Sequence, residues 1–522
     1  MASSTKKKKH ALILGGAPLT LEEIRQVADQ GKKVELGPSA RTRIEKAHRF
    51  LQNKISTGQT FYGINTGFGL LSNVRVDGKD LVQLQVNLIR SHAVGVGPEL
   101  GDRAVRAMLL LRAWNLCQGH SGVALKTVDQ LIAFLNHGIH PLVPSQGSVG
   151  ASGDLAPLSH LALPLMGEGK VRFKGKIMPS AQALKIAGLK PLILGPKEGL
   201  ALINGTQFMT ALGALALLEA EHLARVADVL GAMTVEAIRG TETAFEPEIH
   251  SVRPHPGQVL VAKNIRKVLL SNSPRPKKSE IALSHENCGK VQDPYSLRCM
   301  PQVHGASRDV LSFVRGVLER EINSVTDNPL LFPDQDKILS GGNFHGQIVA
   351  IAMDALAIAM AEVASISEQR IEKLINPVLS ELPAFLIQKG GLNSGFMIIQ
   401  VAAASIVSEN KTLCHPASVD SIPTSADKED HVSMGAWAAR KATQVIENTR
   451  RVLAMEALSA AQGIDLLRPL KSSRAIEGMH ALIRREAAFA ESDRSYHEDL
   501  KRLECMLLSP QVVELLEKEG VA

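Results

Sequence analysis

The stretch Gly147-Ser148-Val149-Gly150-Ala151-Ser152-Gly153-Asp154-Leu155-Ala156-Pro157 packs three glycines and two serines into its first seven residues, then turns acidic, proline-bearing and apolar. Glycine opens backbone geometries closed to other residues, so this segment is built to fold sharply. Asp154 is placed to N-cap a helix with the pattern Leu155, Leu158, Leu161, Leu163. Composition alone fits a loop at a helix start. Ala151-Ser152-Gly153 also supports a chemical reading. In a hard bend the amide nitrogen of Gly153, unhindered for want of a Cβ, reaches the alanine carbonyl. Loss of water at Ser152 then leaves an exocyclic methylene conjugated to the new ring, an electrophile made from the chain itself.

Around this loop the chain reads as mainly α. Helical patterns rich in alanine and leucine run over 206–238, 308–324, 346–376, 396–412 and 433–464, and β-branched alternation is scarce. Residues 11–60 read as helices after a short extended start, with Thr20 as a cap ahead of Glu22 and Glu23. Residues 102–136 read as helical, and 170–179 as a small hairpin. The expected organisation is a basic, disordered tail over 1–10, an N-terminal domain over 11–205 carrying the loop, and a long-helix bundle over 206–522. The segment 271–290 reads as a Pro- and Lys-containing loop, and 465–522 as further helices without an assignable motif.

Composition narrows the function. The 522 residues are 45% hydrophobic, enough for a large core. Of the net charge of +7, four come from the run Lys6–Lys9, a solvated tail. No basic-aromatic interleaving points to nucleic acid. The five cysteines are odd in number and widely spaced, as for reduced thiols in a cytoplasmic protein. No ligand spacing suggests a metal, and no signal-peptide pattern is present. The apolar run Ile348–Ile366 carries Asp354 and Glu362. Charges there are costly in lipid, so it reads as a buried helix, with no membrane involved.

The segment GSVGASGDLAPLSHLA resembles the signature of the aromatic amino-acid ammonia-lyases, in which Ala-Ser-Gly cyclises to 4-methylidene-imidazol-5-one (MIO). The likeness continues at YGINTGFG, INGTQ, VQDPYSLRC, TDNPL, SGGNFHG and EDHVSM, nearly the whole chain. It implies an ammonia-lyase/fumarase-like helical fold, MIO formed from Ala151, Ser152 and Gly153 with no dissociable cofactor, and a homotetramer whose active sites are shared between subunits. It also assigns roles. Tyr62 is the base that removes a β-proton; an ordinary phenol has a pKa of about 10, so this needs a lowered value. Asn204, which by position also suits a helix cap, supports the MIO carbonyl or the substrate. Arg298, beside Gln292 and Tyr295, clamps a carboxylate through its planar fork. Phe344 packs against the ring. Glu429 serves the substrate side chain or proton transfer.

The pair Ser91-His92 resembles the histidine-acting branch, and imidazole-to-imidazole hydrogen bonding suits a histidine substrate. The implied activity is non-oxidative deamination of L-histidine to trans-urocanate and ammonia, the first step of histidine degradation. Lys428 departs from the family's usual Asn-Gln-Glu-Asp-His. Two alternatives stay open: a tyrosine ammonia-lyase or aromatic aminomutase using the same MIO, and a non-catalytic helical scaffold that needs none.

Overall fold

The computed structural model describes residues 11–270, 277–286 and 291–522. The lysine run, Cys288 and half of the expected 271–290 loop lie outside the described residues. The chain forms two compact units, each assembled from three stretches. The first combines the described part of Met1–Leu215 with Arg315–Asp354 and Pro416–Arg440. The second combines Ala216–Val314, Ala355–His415 and Lys441–Ala522. A single boundary at 205/206 therefore does not describe the division. Four of the five dividing points fall inside the helices Gln207–Ala237, Met300–Glu321, Gln347–Ile375 and Gly435–Leu466, where continuous helical periodicity hides them; the fifth, between His415 and Pro416, follows the helix Met397–Leu413.

In the first unit, Leu12–Leu14 pairs in parallel with Val34–Leu36. The helix Leu21–Gln30 opens with a reciprocal capping box between Thr20 and Glu23, as the sequence suggested. The expected hairpin forms as Lys170–Phe173 against Lys176–Pro179, with His140–Pro141 as a third strand. The helix Asp102–Cys117 is buried from Ala104 through Cys117. An all-buried helix must satisfy its polar residues internally. Arg106 does so by donating to the carbonyl oxygens of Val27 (2.9 Å) and Leu135 (3.2 Å). Lys197 Nζ donates to Asp327 Oδ2 at 2.6 Å, with both side chains fully buried. Asn328, next in sequence, holds the 340s loop by accepting from Gly341 N at 2.8 Å.

The second unit is a bundle of long helix segments with three C-terminal helices, Arg474–Glu486, His497–Leu507 and Pro510–Lys518. Its buried charges are grouped. Asp228 accepts from His304 Nδ1 and Arg308 Nη2, both at 2.8 Å. Glu456 takes the Arg370 guanidinium together with the hydroxyls of Thr234 and Ser367. One helix starts earlier than its apolar pattern indicated, at Met300 rather than near 308. By length and composition Gln347–Ile375 alone among the described helices is long and apolar enough to cross a membrane. However, 61% of its most apolar window is buried in the protein, and Ala350, Met353, Leu356 and Met360 are fully covered.

Removing one partner of a buried ion pair strands the other charge, which costs roughly 3–5 kcal/mol. Asp327→Ala is therefore expected to lower the thermal midpoint sharply, and the double variant Lys197→Met/Asp327→Leu to recover much of the loss. Scanning calorimetry of the three proteins checks this.

Candidate active site

The Ala-Ser-Gly loop is bent as its composition requires. Gly153 sits at φ +74°, and a Cβ there would lie 2.3 Å from the carbonyl oxygen of Gly205. Only glycine fits so close a backbone approach. Asp154 N donates to that same oxygen at 2.8 Å. The Asp154 side chain does not cap the following helix. That helix, Ala156–Ala162, starts at Leu155 with no side-chain cap. Oδ2 of Asp154 instead accepts from the amides of Phe208 (2.7 Å) and Met209 (3.4 Å), at the start of Gln207–Ala237. A carboxylate suits the positive end of a long helix. Full burial nevertheless pushes its pKa up to about 7, against the pull of those two amides.

Beside the loop lies a cavity of about 640 Å³ whose lining includes Tyr62, His92, Ala151, Ser152, Asn204, Phe344 and Glu429. Seven of the expected site residues are thus gathered from six separate segments of one unit. Asn204 caps the C-terminus of Glu198–Ile203, and its Nδ2 donates to the carbonyl oxygen of Ser152 at 2.8 Å. Its Oδ1 is buried without a partner. His92 Nδ1 lies 2.8 Å from the carbonyl oxygen of Leu88. A carbonyl only accepts, so Nδ1 donates to it, which in a neutral imidazole leaves Nε2 as the acceptor.

Glu429 is held by three hydroxyl donors, each at 2.8 Å. Ser152 Oγ donates to Oε1, and Thr424 Oγ1 and Ser425 Oγ donate to Oε2. The turn leading to Glu429 places Ser425, Ala426 and Asp427 in succession at φ +51°, +52° and +60°. Left-handed conformations in non-glycine residues are costly and collect at functional sites.

Tyr62 differs from the sequence expectation. Burial raises its pKa above the ordinary value, and the Glu429 carboxylate raises it further; only a hydrogen bond with the Gly69 backbone acts downward. No cation is among the causes acting on it, and Gly69 opens only the short 3-10 helix Gly69–Asn73.

Gln292, Tyr295 and Arg298 are not among the residues lining this cavity; they belong to the second unit. There the Arg298 guanidinium lies 4.4 Å from the Tyr295 ring centroid, a cation-π distance. Its Nε donates to the carbonyl oxygen of Asp293 at 3.0 Å. Tyr295 is 70% exposed and Val291 fully so, and Gln292 is exposed, so these side chains face outward, while Arg298 is half-buried. The cavity also takes in residues that the sequence reading left unassigned: Asn328, His345, Asp430 and His431. The rings of His345 and His431 are stacked with centroids 5.9 Å apart. Their signal was position inside TDNPL, SGGNFHG and EDHVSM, motifs that carried the resemblance without a role for these residues.

The residues fit a ring formed from Ala151, Ser152 and Gly153. Gly153 is free of a Cβ where its nitrogen must approach Ala151. The oxygen that would become the ring carbonyl already accepts an amide hydrogen bond from Asn204.

The chain is similar to known proteins over nearly its whole length. The family model described as aromatic amino acid lyase matches residues 19–485. A histidine ammonia-lyase of Anaeromyxobacter sp. (strain K) is 52% identical over 505 residues, covering 95% of this chain and 98% of that protein. Among solved structures, histidine ammonia-lyase from Trypanosoma cruzi superposes with a TM-score of 0.90 at 46% identity, covering 98% of this chain and 96% of that one. Tyrosine aminomutase from Streptomyces globisporus gives a TM-score of 0.91 at 36% identity, covering 98% and 99%.

With only three tyrosines in the chain, the phenol of Tyr62 can be followed directly. The difference in tyrosinate absorbance between the native protein and Tyr62→Phe is expected to titrate above pH 10.0, the ordinary value. A midpoint below it would mean that a cation reaches Tyr62 in the assembled protein.

Proposed function

The chain belongs to the aromatic amino acid lyase family, and from that premise we propose that it deaminates L-histidine to trans-urocanate and ammonia, using MIO formed from its own Ala151, Ser152 and Gly153. The observation that carries this reading is the convergence on one cavity of the bent Ala-Ser-Gly loop, the Asn204 amide on the Ser152 carbonyl, and the pair His92 and Glu429. A protonated imidazole donates from both ring nitrogens. His92 Nε2 offers an acceptor and Glu429 a second, so a histidine side chain in its imidazolium form finds a partner on each side.

The MIO ring supplies an electrophilic methylidene carbon that takes up the substrate's amino group and makes it a better leaving group. Asn204 holds the oxygen on which negative charge grows in that addition, and a preorganised donor there favours the charged state. Loss of Ser152 Oγ as water removes the donor that occupies Glu429 Oε1, which opens that oxygen to the substrate. Phe344 walls the cavity. Tyr62 takes the β-proton once a cation offsets the burial and the Glu429 charge that now oppose its ionisation.

Arg298, Tyr295 and Gln292 are assigned to the substrate carboxylate and its surroundings, in the cavity of a neighbouring subunit of a homotetramer. The outward exposure of this motif supports that assignment. So do exposed apolar side chains on long helices of the second unit, including Ile358 at 46%, Ile398 at 64% and Val401 at 51%, surface that association would cover. A cytoplasmic setting is part of the same proposal.

Purified protein incubated with L-histidine, and in parallel with L-tyrosine, tests the reading by ultraviolet absorbance and ammonia release. Urocanate and ammonia in equal amounts are expected. Coumarate from tyrosine alone would instead favour a tyrosine-acting site. Ser152→Ala is expected to abolish activity and the two-water deficit in intact mass while the fold persists; near-native turnover in that variant would exclude the scheme. Tyr62→Phe is expected to lower kcat by about 10²–10⁴-fold, the usual contribution of a general base.

A further inference from the structure

Arg112 is fully buried in the middle of the helix Asp102–Cys117, and the mechanism above gives it no part. Its guanidinium is committed to a single turn. Nη1 donates to the carbonyl oxygen of Ala201 at 2.9 Å, and Nη2 to that of Asn204 at 3.0 Å. Nη2 also donates to Gln207 Oε1, whose own amide nitrogen donates to Thr326 Oγ1 at 2.9 Å. One planar fork therefore ties the end of the helix Glu198–Ile203 to the start of Gln207–Ala237.

The turn in between meets the Ala-Ser-Gly loop twice, through Asn204 Nδ2 on the Ser152 oxygen and through Gly205 O on Asp154 N. Gly205 itself, at φ +143°, has no room for a side chain, since a Cβ would stand 2.5 Å from Arg112 Nη2. A buried guanidinium is expensive. Burial lowers the pKa of Arg112 to about 10, with Asp327 and Asp154 acting against it, so it stays charged near neutrality. Helix C-terminal carbonyls can be satisfied more cheaply by water or a glycine cap.

We propose that Arg112 is a positioning residue for the electrophile: by locking the Ala201–Gln207 turn it aims the Asn204 amide at the oxygen of Ser152, the oxygen that bears negative charge when the methylidene carbon is attacked. This rests on the MIO reading above. Arg112 touches neither substrate nor ring; it acts through Asn204.

The test compares the native protein, Arg112→Met, Arg112→Lys, Asn204→Ala and Arg112→Met/Asn204→Ala. Four quantities are measured: intact mass, near-ultraviolet absorbance of the mature ring, and kcat and KM, with kcat taken per matured chain. Removing one donor of this kind costs about 10²–10³-fold in rate. Arg112→Met is expected to lower kcat by at least tenfold with KM changed less than threefold. Its ring band should shift in the same direction as that of Asn204→Ala, and the double variant should be no slower than Asn204→Ala alone.

Native kcat in a folded Arg112→Met protein would overturn the proposal. So would a fall in kcat with an unshifted band, or additive losses in the double variant. A merely structural arginine would lower stability without moving the band. If Arg112→Met does not fold, Arg112→Lys decides. It keeps the charge but loses the fork, so an intermediate shift and rate support the proposal and native values refute it. Absence of the two-water deficit in the native protein would refute the MIO reading itself, which is a different result from any of these.

Discussion

Residue 153 lies so close to the carbonyl of Gly205 that no side chain fits between them. That approach requires the 147–157 loop and the 201–207 turn to be two halves of one object. Asp154 joins them through its backbone nitrogen, and its carboxylate reaches past the turn to cap the helix from Gln207. Asn204 returns the contact from the other side. Two glycines and two short polar side chains therefore set where the reactive carbonyls stand, and long helices carry that placement outward.

Such close packing of backbone leaves polar atoms that water cannot reach, and these are met by buried charge. Arg112 serves the turn, Lys197 and Asp327 pair nearby in the same unit, and Asn328 passes the constraint to the loop that carries Phe344. Ion pairs of this kind are weak contributors to stability compared with apolar replacements of the same shape. Their value here is directional. Each fixes an orientation that packing alone would leave free.

What was legible in the sequence follows the same division. Apolar periodicity marked the long helices, because their cores are aliphatic throughout. It failed at Met300 because the first turns of that helix bury His304 and Ser307, which are satisfied by Asp228 and by the carbonyl of Ala359 and so read as polar breaks. It also failed at the unit boundaries, four of five of which fall within helices. The sharply bent Ala-Ser-Gly loop and most of the residues around the cavity were legible through motif. Asp154 was placed on the wrong helix because its true partners lie more than fifty positions away. Arg112 left no sequence signal, since a lone arginine within a helical run reads as a surface residue until its burial is known.

The proton chemistry depends on completeness of the site. Within one chain, burial and Glu429 act on Tyr62 in the same direction, both favouring the neutral phenol. Glu429 keeps the hydroxyls of Thr424 and Ser425 on Oε2 even without Ser152 Oγ, so it does not swing away to relieve that effect. A phenol so placed is a poor base until positive charge arrives. The arginine assigned to the substrate carboxylate stands on an outward-facing motif of the second unit. Under the proposed tetrameric arrangement, substrate binding and subunit association bring cations to the cavity together. The isolated chain is then held in a form in which its base is protonated, and assembly with substrate is what makes proton abstraction near neutral pH physically reasonable.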